Sequence, residues 1–250
     1  MKILIDPGHG GNESGCCGFG KLEKDLNLKY ALSLKDELSK YIDTNIKMTR
    51  TTDIDLGINE RIKIISLENP DLIVSCHLNE FDEKSRGTET IHSIFAKQVI
   101  INLATELAKN ISNGINVPFR RVFSQKSEKG NWDYFGVIRA SPKTIIIEPL
   151  FLDNKQDSIF IFENDWNLKL SKIILETIAR HYKLQPSKQG KVFNVTSNLN
   201  VRSGSSINFK IIGNLKNDSI VKIYSLENNF YKISFGTGFG YVSKDYIKII

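Results

Sequence analysis

Met1-Lys-Ile-Leu-Ile-Asp-Pro-Gly-His-Gly-Gly11 opens the chain, and the fold is read outward from it. Ile3, Leu4 and Ile5 make a short apolar run suited to a buried strand, and the Pro7-Gly8 turn behind it carries His9. Such a strand delivers its next side chain to the C-terminal edge of a sheet, where ligands collect in α/β proteins. The same glycines invite an anion-binding reading. The segment has neither the G-x-x-x-x-G-K-[ST] spacing nor a G-x-G-x-x-G opening a helix, so a phosphate site is set aside.

Residues 45–48, 72–75, 89–93 and 144–147 are further strand candidates. Between them, Leu28, Ala31, Leu34, Leu38 and Tyr41 recur at spacings of three and four, as one face of a helix. Ile58, Ile62 and Ile65 predict a shorter helix, and residues 97–115 and 163–183 two longer ones, the last with Trp166, Leu170, Ile173, Ile174, Ile178 and Tyr182 on one side. Strands alternating with helices predict an α/β fold, a twisted and mostly parallel sheet flanked by helices. Residues 184–190 read as a polar linker containing Pro186 and Gly190. Beyond it the helical period stops, and short β-like runs separated by Gly, Asn, Ser and Asp predict a small all-β barrel or sandwich. The expected domains are therefore 1–183 and 191–250.

Composition sets the outer bounds. With 250 residues, 40% of them apolar and 25% charged, the chain is an ordinary folded protein of one or two domains. No run approaches the ~18 apolar residues of a membrane span, so no membrane insertion is expected. The chain enters a strand at once, with no basic segment and apolar stretch of a signal peptide, so synthesis in the cytoplasm is expected. Cys16, Cys17 and Cys76 are odd in number and two are adjacent, which predicts free thiols rather than a disulfide framework. Residues 190–250 hold eight Lys and Arg against three acids and so carry +5 of the chain's +6. A basic segment of that kind suits an anionic partner such as nucleic acid, anionic lipid or an anionic wall polymer.

Four polar groups from four segments point to chemistry. His9 follows the first strand and His77 the third, so in a parallel sheet both emerge at one edge. Glu23 opens the first long helix, where a carboxylate suits the helix dipole. Glu148 ends the strand candidate 144–147, directly after three isoleucines, where a carboxylate is costly unless paired or used. Two imidazoles and a carboxylate with one open position form the donor set of hydrolytic zinc. His92, inside a strand candidate, and His181, in the last turn of a helix, read as structural.

Asp6-Pro-Gly-His-Gly-Gly11, Glu23-Lys-Asp25, Arg50 with Asp53, Arg61, Ser75-Cys-His-Leu-Asn79, Gly87-Thr-Glu89, Ile147-Glu148 and Phe151-Leu-Asp-Asn154 together resemble the zinc-dependent N-acetylmuramoyl-L-alanine amidases of the Amidase_3 type. The resemblance implies that His9, Glu23 and His77 hold Zn²⁺ and that Glu148 is the catalytic glutamate. It also implies a peptidoglycan substrate, cut between the lactyl group of N-acetylmuramic acid and L-alanine. Two departures stand out. Asn12-Glu-Ser-Gly-Cys-Cys17 follows the first motif, making Glu13 a rival ligand to the preferred Glu23, and Pro149-Leu-Phe151 replaces the usual Gly-Phe. Leu199-Asn-Val-Arg-Ser-Gly-Ser205 with Gly213, residues 230–233 and 240–242 resembles bacterial SH3 domains, which implies that residues 191–250 bind a cell-wall polymer and not nucleic acid. One catalytic domain followed by one binding domain resembles a phage endolysin, released to the wall through a membrane pore, and the abundance of Lys, Ile and Asn hints at a clostridia-like host. The other readings are a bacterial autolysin of the same activity, a zinc peptidase acting within the stem peptide, and a wall-binding protein without catalysis.

Overall fold

A computed structural model describes residues 1–236 and 238–250. They divide into two compact units, residues 1–39 with 44–184, and residues 185–250 with 40–43. The first unit runs β1 (Lys2–Pro7), a two-strand hairpin of β2 (Cys17–Gly18) and β3 (Lys21–Leu22), α1 (Glu23–Leu38), β4 (Asn45–Met48), α2 (Ile58–Glu68), β5 (Leu72–Cys76) and β6 (Thr88–His92). It continues with α3 (Gln98–Ile115), β7 (Phe119–Phe123), β8 (Thr144–Glu148), α4 (Lys155–Ser158) and α5 (Trp166–Tyr182). Six strands form one sheet in the order β4-β1-β5-β8-β6-β7. Every neighbouring pair is parallel except β6 against β8. The mostly parallel sheet expected from the alternation of strands and helices is thus present.

Side chains alternate across this sheet as a two-residue period requires. Leu4, Ile73, Ile91 and Ile146 form a buried cluster with Ile65 of α2 and with Val137 and Ile138 of a single 3₁₀ turn. Their sequence neighbours Ile3, Ile5, Leu72, Val74, Ile145 and Ile147, also fully buried, project to the opposite face. There α5 packs against both α1 and α3. The buried stripe of α1 is Leu26, Tyr30, Ala31, Leu34 and Leu38, rotated from the stripe read in the sequence. Leu28 is only half-buried, and Tyr41 lies past the end of the helix. The stripe shifts because Glu23, Asn27 and Tyr30 must face the sheet edge rather than solvent.

The second unit is an antiparallel seven-stranded sheet, β11-β10-β14-β13-β12-β9-β15. Its strands are β9 (Lys188–Val192), β10 (Leu199–Arg202), β11 (Ile211–Leu215), β12 (Ile220–Glu227), β13 (Phe230–Phe235), β14 (Gly238–Ser243) and β15 (Ile247–Ile249). Alternate residues Val192, Leu199, Val201, Val221, Ile223, Ile233, Val242 and Ile247 close one small core. β9 begins at Lys188, inside the stretch read as linker, because Lys188 to Lys191 pair along β12. No helix among the described residues is long and apolar enough to cross a membrane.

Candidate functional site

The site begins with how the turn after β1 is held. Asp6, buried at the end of β1, accepts hydrogen bonds from the Thr49 hydroxyl at 2.6 Å, the Ser75 hydroxyl at 2.8 Å and Arg61 Nη1 at 2.6 Å. Burial works against this carboxylate, but the Arg61 charge and the two hydroxyls outweigh it and hold the Asp6 carboxyl below its usual range. Arg61 also donates to the carbonyls of Pro7 and His9, and Arg50 donates to those of Pro7 and Gly8. Three consecutive carbonyls of an irregular loop therefore have buried arginine partners, which fixes a backbone that no ladder could satisfy. His9 itself sits in the left-handed region at φ 58°, an uncommon conformation for a residue that is not glycine.

His77 follows β5, and its amide donates to the Ile147 carbonyl of β8. Its ring packs against Gly8, where a Cβ would come within 2.2 Å of the imidazole. Glu23, the first residue of α1 and 3% exposed, lies between the two histidines. Its Oε1 is 3.1 Å from His77 Nδ1, and its Oε2 is 3.1 Å from His9 Nε2. Asn27 Nδ2, one helical turn on, and the Leu78 amide donate to Oε1, both at 3.0 Å, and the Cys16 amide donates to Oε2 at 2.9 Å. Burial alone would raise the Glu23 carboxyl, but hydrogen bonds and charge from His77 and His9 overcome it and hold the group well below the usual range. Gly15, at φ 65°, completes the cradle, since a Cβ there would lie 2.4 Å from Glu23 Oε2.

His9, Glu23 and His77 each present one ligand atom, and these atoms lie within 4.8 Å of one another. The donor set of two imidazole nitrogens and one carboxylate fits zinc, and the preorganised Glu23 is what a closed set of outer hydrogen bonds provides. Glu13 stands apart from the trio. Its carboxylate meets the other nitrogen of His9, Nδ1, at 3.2 Å, where it would orient the ring. Cys16 and Cys17 are free thiols. Burial, joined by the nearby Glu23 charge, pushes the Cys16 thiol far above its ordinary value. Because Asn27 fixes a ligand oxygen, Asn27→Ala is expected to weaken zinc affinity roughly 10–100-fold with the fold intact, measured by titration against a competing chelator.

Glu148 ends β8 beside His77, and its Oε2 is buried with no hydrogen-bond partner among the described residues. Burial, with the charges of Glu23 and Glu89 behind it, pushes its carboxyl well above the usual range. A cleft of about 290 Å³ opens on it, lined also by Asn79, Phe81, Arg120 and Arg121. A second hollow of about 170 Å³ is lined by His9 and His77, and Phe135 lines both. Arg61, read in the sequence as part of the motif series, does not line the Glu148 cleft but braces the β1 turn. His92 and His181 stay outside the site, His92 against the Ser93 carbonyl and His181 facing Glu106 at 3.4 Å. The sequence reading missed Asn27, whose signal was its i+4 spacing from Glu23. It also missed the arginines of β7.

Comparison with known proteins gives the family. Residues 3–180 match the Amidase_3 family, N-acetylmuramoyl-L-alanine amidase, and residues 197–248 match the bacterial SH3 domain. YqiI of Bacillus subtilis (strain 168), an uncharacterized protein, is 27% identical over 181 residues, 72% of this chain and 84% of that one. The endolysin of Bacillus phage SPP1 is 25% identical over 189 residues, covering 75% and 68%. The crystal structure of an N-acetylmuramoyl-L-alanine amidase from Clostridium difficile 630 superposes with a TM-score of 0.66 at 26% identity, covering 73% of this chain and 96% of that one. With the sheet, the His-Glu-His cluster and these likenesses in agreement, the chain belongs to the N-acetylmuramoyl-L-alanine amidase family and carries a bacterial SH3 domain after it.

Proposed function

We propose that the protein is a zinc-dependent hydrolase that cuts peptidoglycan at the amide between N-acetylmuramic acid and L-alanine, with residues 191–250 holding it to the wall. The observation that carries this reading is the meeting of His9, Glu23 and His77 within 4.8 Å, beside a buried and unpartnered Glu148 oxygen. His9, Glu23 and His77 would hold the ion. When bound, zinc supplies Lewis acidity at an open coordination position. The rest of the chemistry belongs to the chain. Glu148 accepts a proton from the attacking water at its carboxylate and hands it to the departing alanine nitrogen. Its raised affinity for a proton suits both halves of that exchange, since a carboxyl poised nearer neutrality is a better acid and base there. Asn27, Leu78 and Cys16 keep Glu23 in place, and Glu13 does the same for His9.

The test is the bond cut. Purified peptidoglycan digested with and without a chelator is expected to release peptides that begin with L-alanine, with release lost on chelation and restored by zinc. Mass spectrometry that found only cleavage inside the peptide would replace this reading with a zinc peptidase.

The likeness to a phage endolysin supports a role in lysis, with the protein made inside the cell and reaching the wall on release. Wall binding by the second unit is expected to be electrostatic in part, because residues 190–250 carry +5. Co-sedimentation of the full chain with insoluble walls should therefore fall sharply between low salt and about 1 M, where charges are screened within ~3 Å. Unchanged sedimentation would leave charge out of the contact.

A further inference from the structure

The cleft beside Glu148 contains a pair of arginines that the hydrolytic chemistry does not use. β6 pairs with β8 through Glu89 opposite Glu148, and with β7 through Glu89 opposite Arg121. Directly paired residues share a face, so Arg121, Glu89 and Glu148 form one row across the sheet. The register between β6 and β7 skips from Thr88 opposite Phe119 to Glu89 opposite Arg121, which leaves Arg120 as an extra residue on β7. A regular strand would send Arg120 and Arg121 to opposite faces. The irregularity re-aims both at one carboxylate, as bulges do beside functional sites.

Glu89 is 1% exposed and accepts from Arg120 Nε at 2.6 Å, Arg121 Nε at 2.9 Å, Arg121 Nη2 at 3.2 Å and Asn79 Nδ2 at 3.1 Å. Each guanidinium is also stacked, Arg120 over Phe151 at 5.1 Å and Arg121 over Phe123 at 4.0 Å. Both heads are thus held rigidly at the cleft wall, with two cations set against one buried anion. Glu80 adds an exposed acid at the rim, free to turn to water. Among the described residues Arg120 donates through Nε alone. Its two terminal nitrogens, the fork that matches a carboxylate, are without a hydrogen bond among the described residues.

We infer that Arg120, supported by Arg121, recognises a carboxylate on the peptide that leaves, and so sets which stem peptides are cut. This rests on the amidase reading above. On the sugar side of the scissile bond the lactyl carboxyl is consumed in the amide, so the available carboxylates lie on the peptide, either the free carboxyl of its second residue or that of its end. A substrate carboxylate on Arg120 would be the second anion held by this arginine pair after Glu89, beside Glu148 in the cleft wall.

Steady-state cleavage of disaccharide-tetrapeptides tests this. One set carries the second residue's carboxyl free or amidated, and another carries the terminal carboxyl free or amidated. The wild-type protein is expected to show a KM about tenfold lower for one free form than for its amide, as a charge-assisted bidentate contact provides, with kcat little changed, and the set that discriminates names the carboxylate. Arg120→Gln should raise KM for the charged substrate to that of the amide and leave the amide's own KM unchanged. Arg121→Gln should do the same more weakly. Equal KM for free and amidated forms in both sets would overturn the inference while leaving the amidase reading intact. An Arg120→Gln loss that falls equally on all substrates would mean a purely structural arginine and overturn it too. A wild-type protein that releases a peptide beginning with L-alanine from none of them would remove the amidase reading and this inference together.

Discussion

Glutamine in place of Glu148 is expected to lower the rate of amide cleavage about 10²–10⁴-fold, the range a positioned general base contributes, while zinc content stays unchanged. Glu148 is not one of the three residues whose ligand atoms meet, so removing its charge leaves the ion's donors in place. Its buried Oε2 has no hydrogen-bond partner among the described residues, so no bond of that oxygen is lost. The same substitution makes a prediction about stability. A carboxyl whose folded pKa is raised above its unfolded value of about 4.5 favours folding less once the pH exceeds that value, because the unfolded chain then gives up its proton more readily. The metal-free Glu148→Gln protein should therefore melt above the wild type at pH 7, and the difference should vanish as the pH falls below about 4.5. A lower melting temperature at pH 7 would mean that Glu148 has a structural partner and would falsify its assignment as an unpaired catalytic group.

The second large effect is expected at Glu23. Glu23→Ala removes one of three donors and also leaves the Asn27 amide, the Leu78 and Cys16 amides and two imidazoles facing an empty cradle. Zinc bound at micromolar protein should drop to background in elemental analysis after gel filtration, and activity should fall with it. Glu23→Gln separates the two causes, since it keeps the shape and one acceptor oxygen but loses the charge. It is expected to bind zinc more weakly than wild type by at least the ~10–100-fold seen for outer hydrogen-bond losses, yet better than the alanine variant. Zinc content equal to wild type in Glu23→Ala would move the ligand role to another carboxylate, with Glu13 the one already touching His9.

Much of this site was legible from sequence because its parts obey strong local rules. An apolar run that breaks into Pro7-Gly8 can only be a strand meeting a turn, and two such strand ends, after β1 and β5, bring His9 and His77 to one edge. Glu148 stood out because three buried isoleucines precede it. What the sequence did not disclose depends on long-range pairing. β7, Phe119-Arg-Arg-Val-Phe123, lacks the apolar core of the other strands because it is an edge, and two adjacent arginines read as surface. Only its register against β6 shows that both face Glu89. Likewise the bracing of the first turn by Arg50 and Arg61 joins residues more than forty positions apart, so no window of sequence contains it. The rotated stripe of α1 has the same origin, since Glu23 and Asn27 are drawn inward by the histidines rather than by hydrophobicity.

The left-handed backbone at His9 has a practical side. Among non-glycine residues, asparagine is one of the few enriched in that region, so His9→Asn keeps a residue suited to the turn while removing an imidazole. Most other replacements would disturb fold and chemistry at once. This one yields a chain with its sheet, its second unit and its cleft in place and only two of the three donors left. Coupled to a dye, such a chain would label bacterial surfaces without dissolving them if its second unit binds the wall as proposed above.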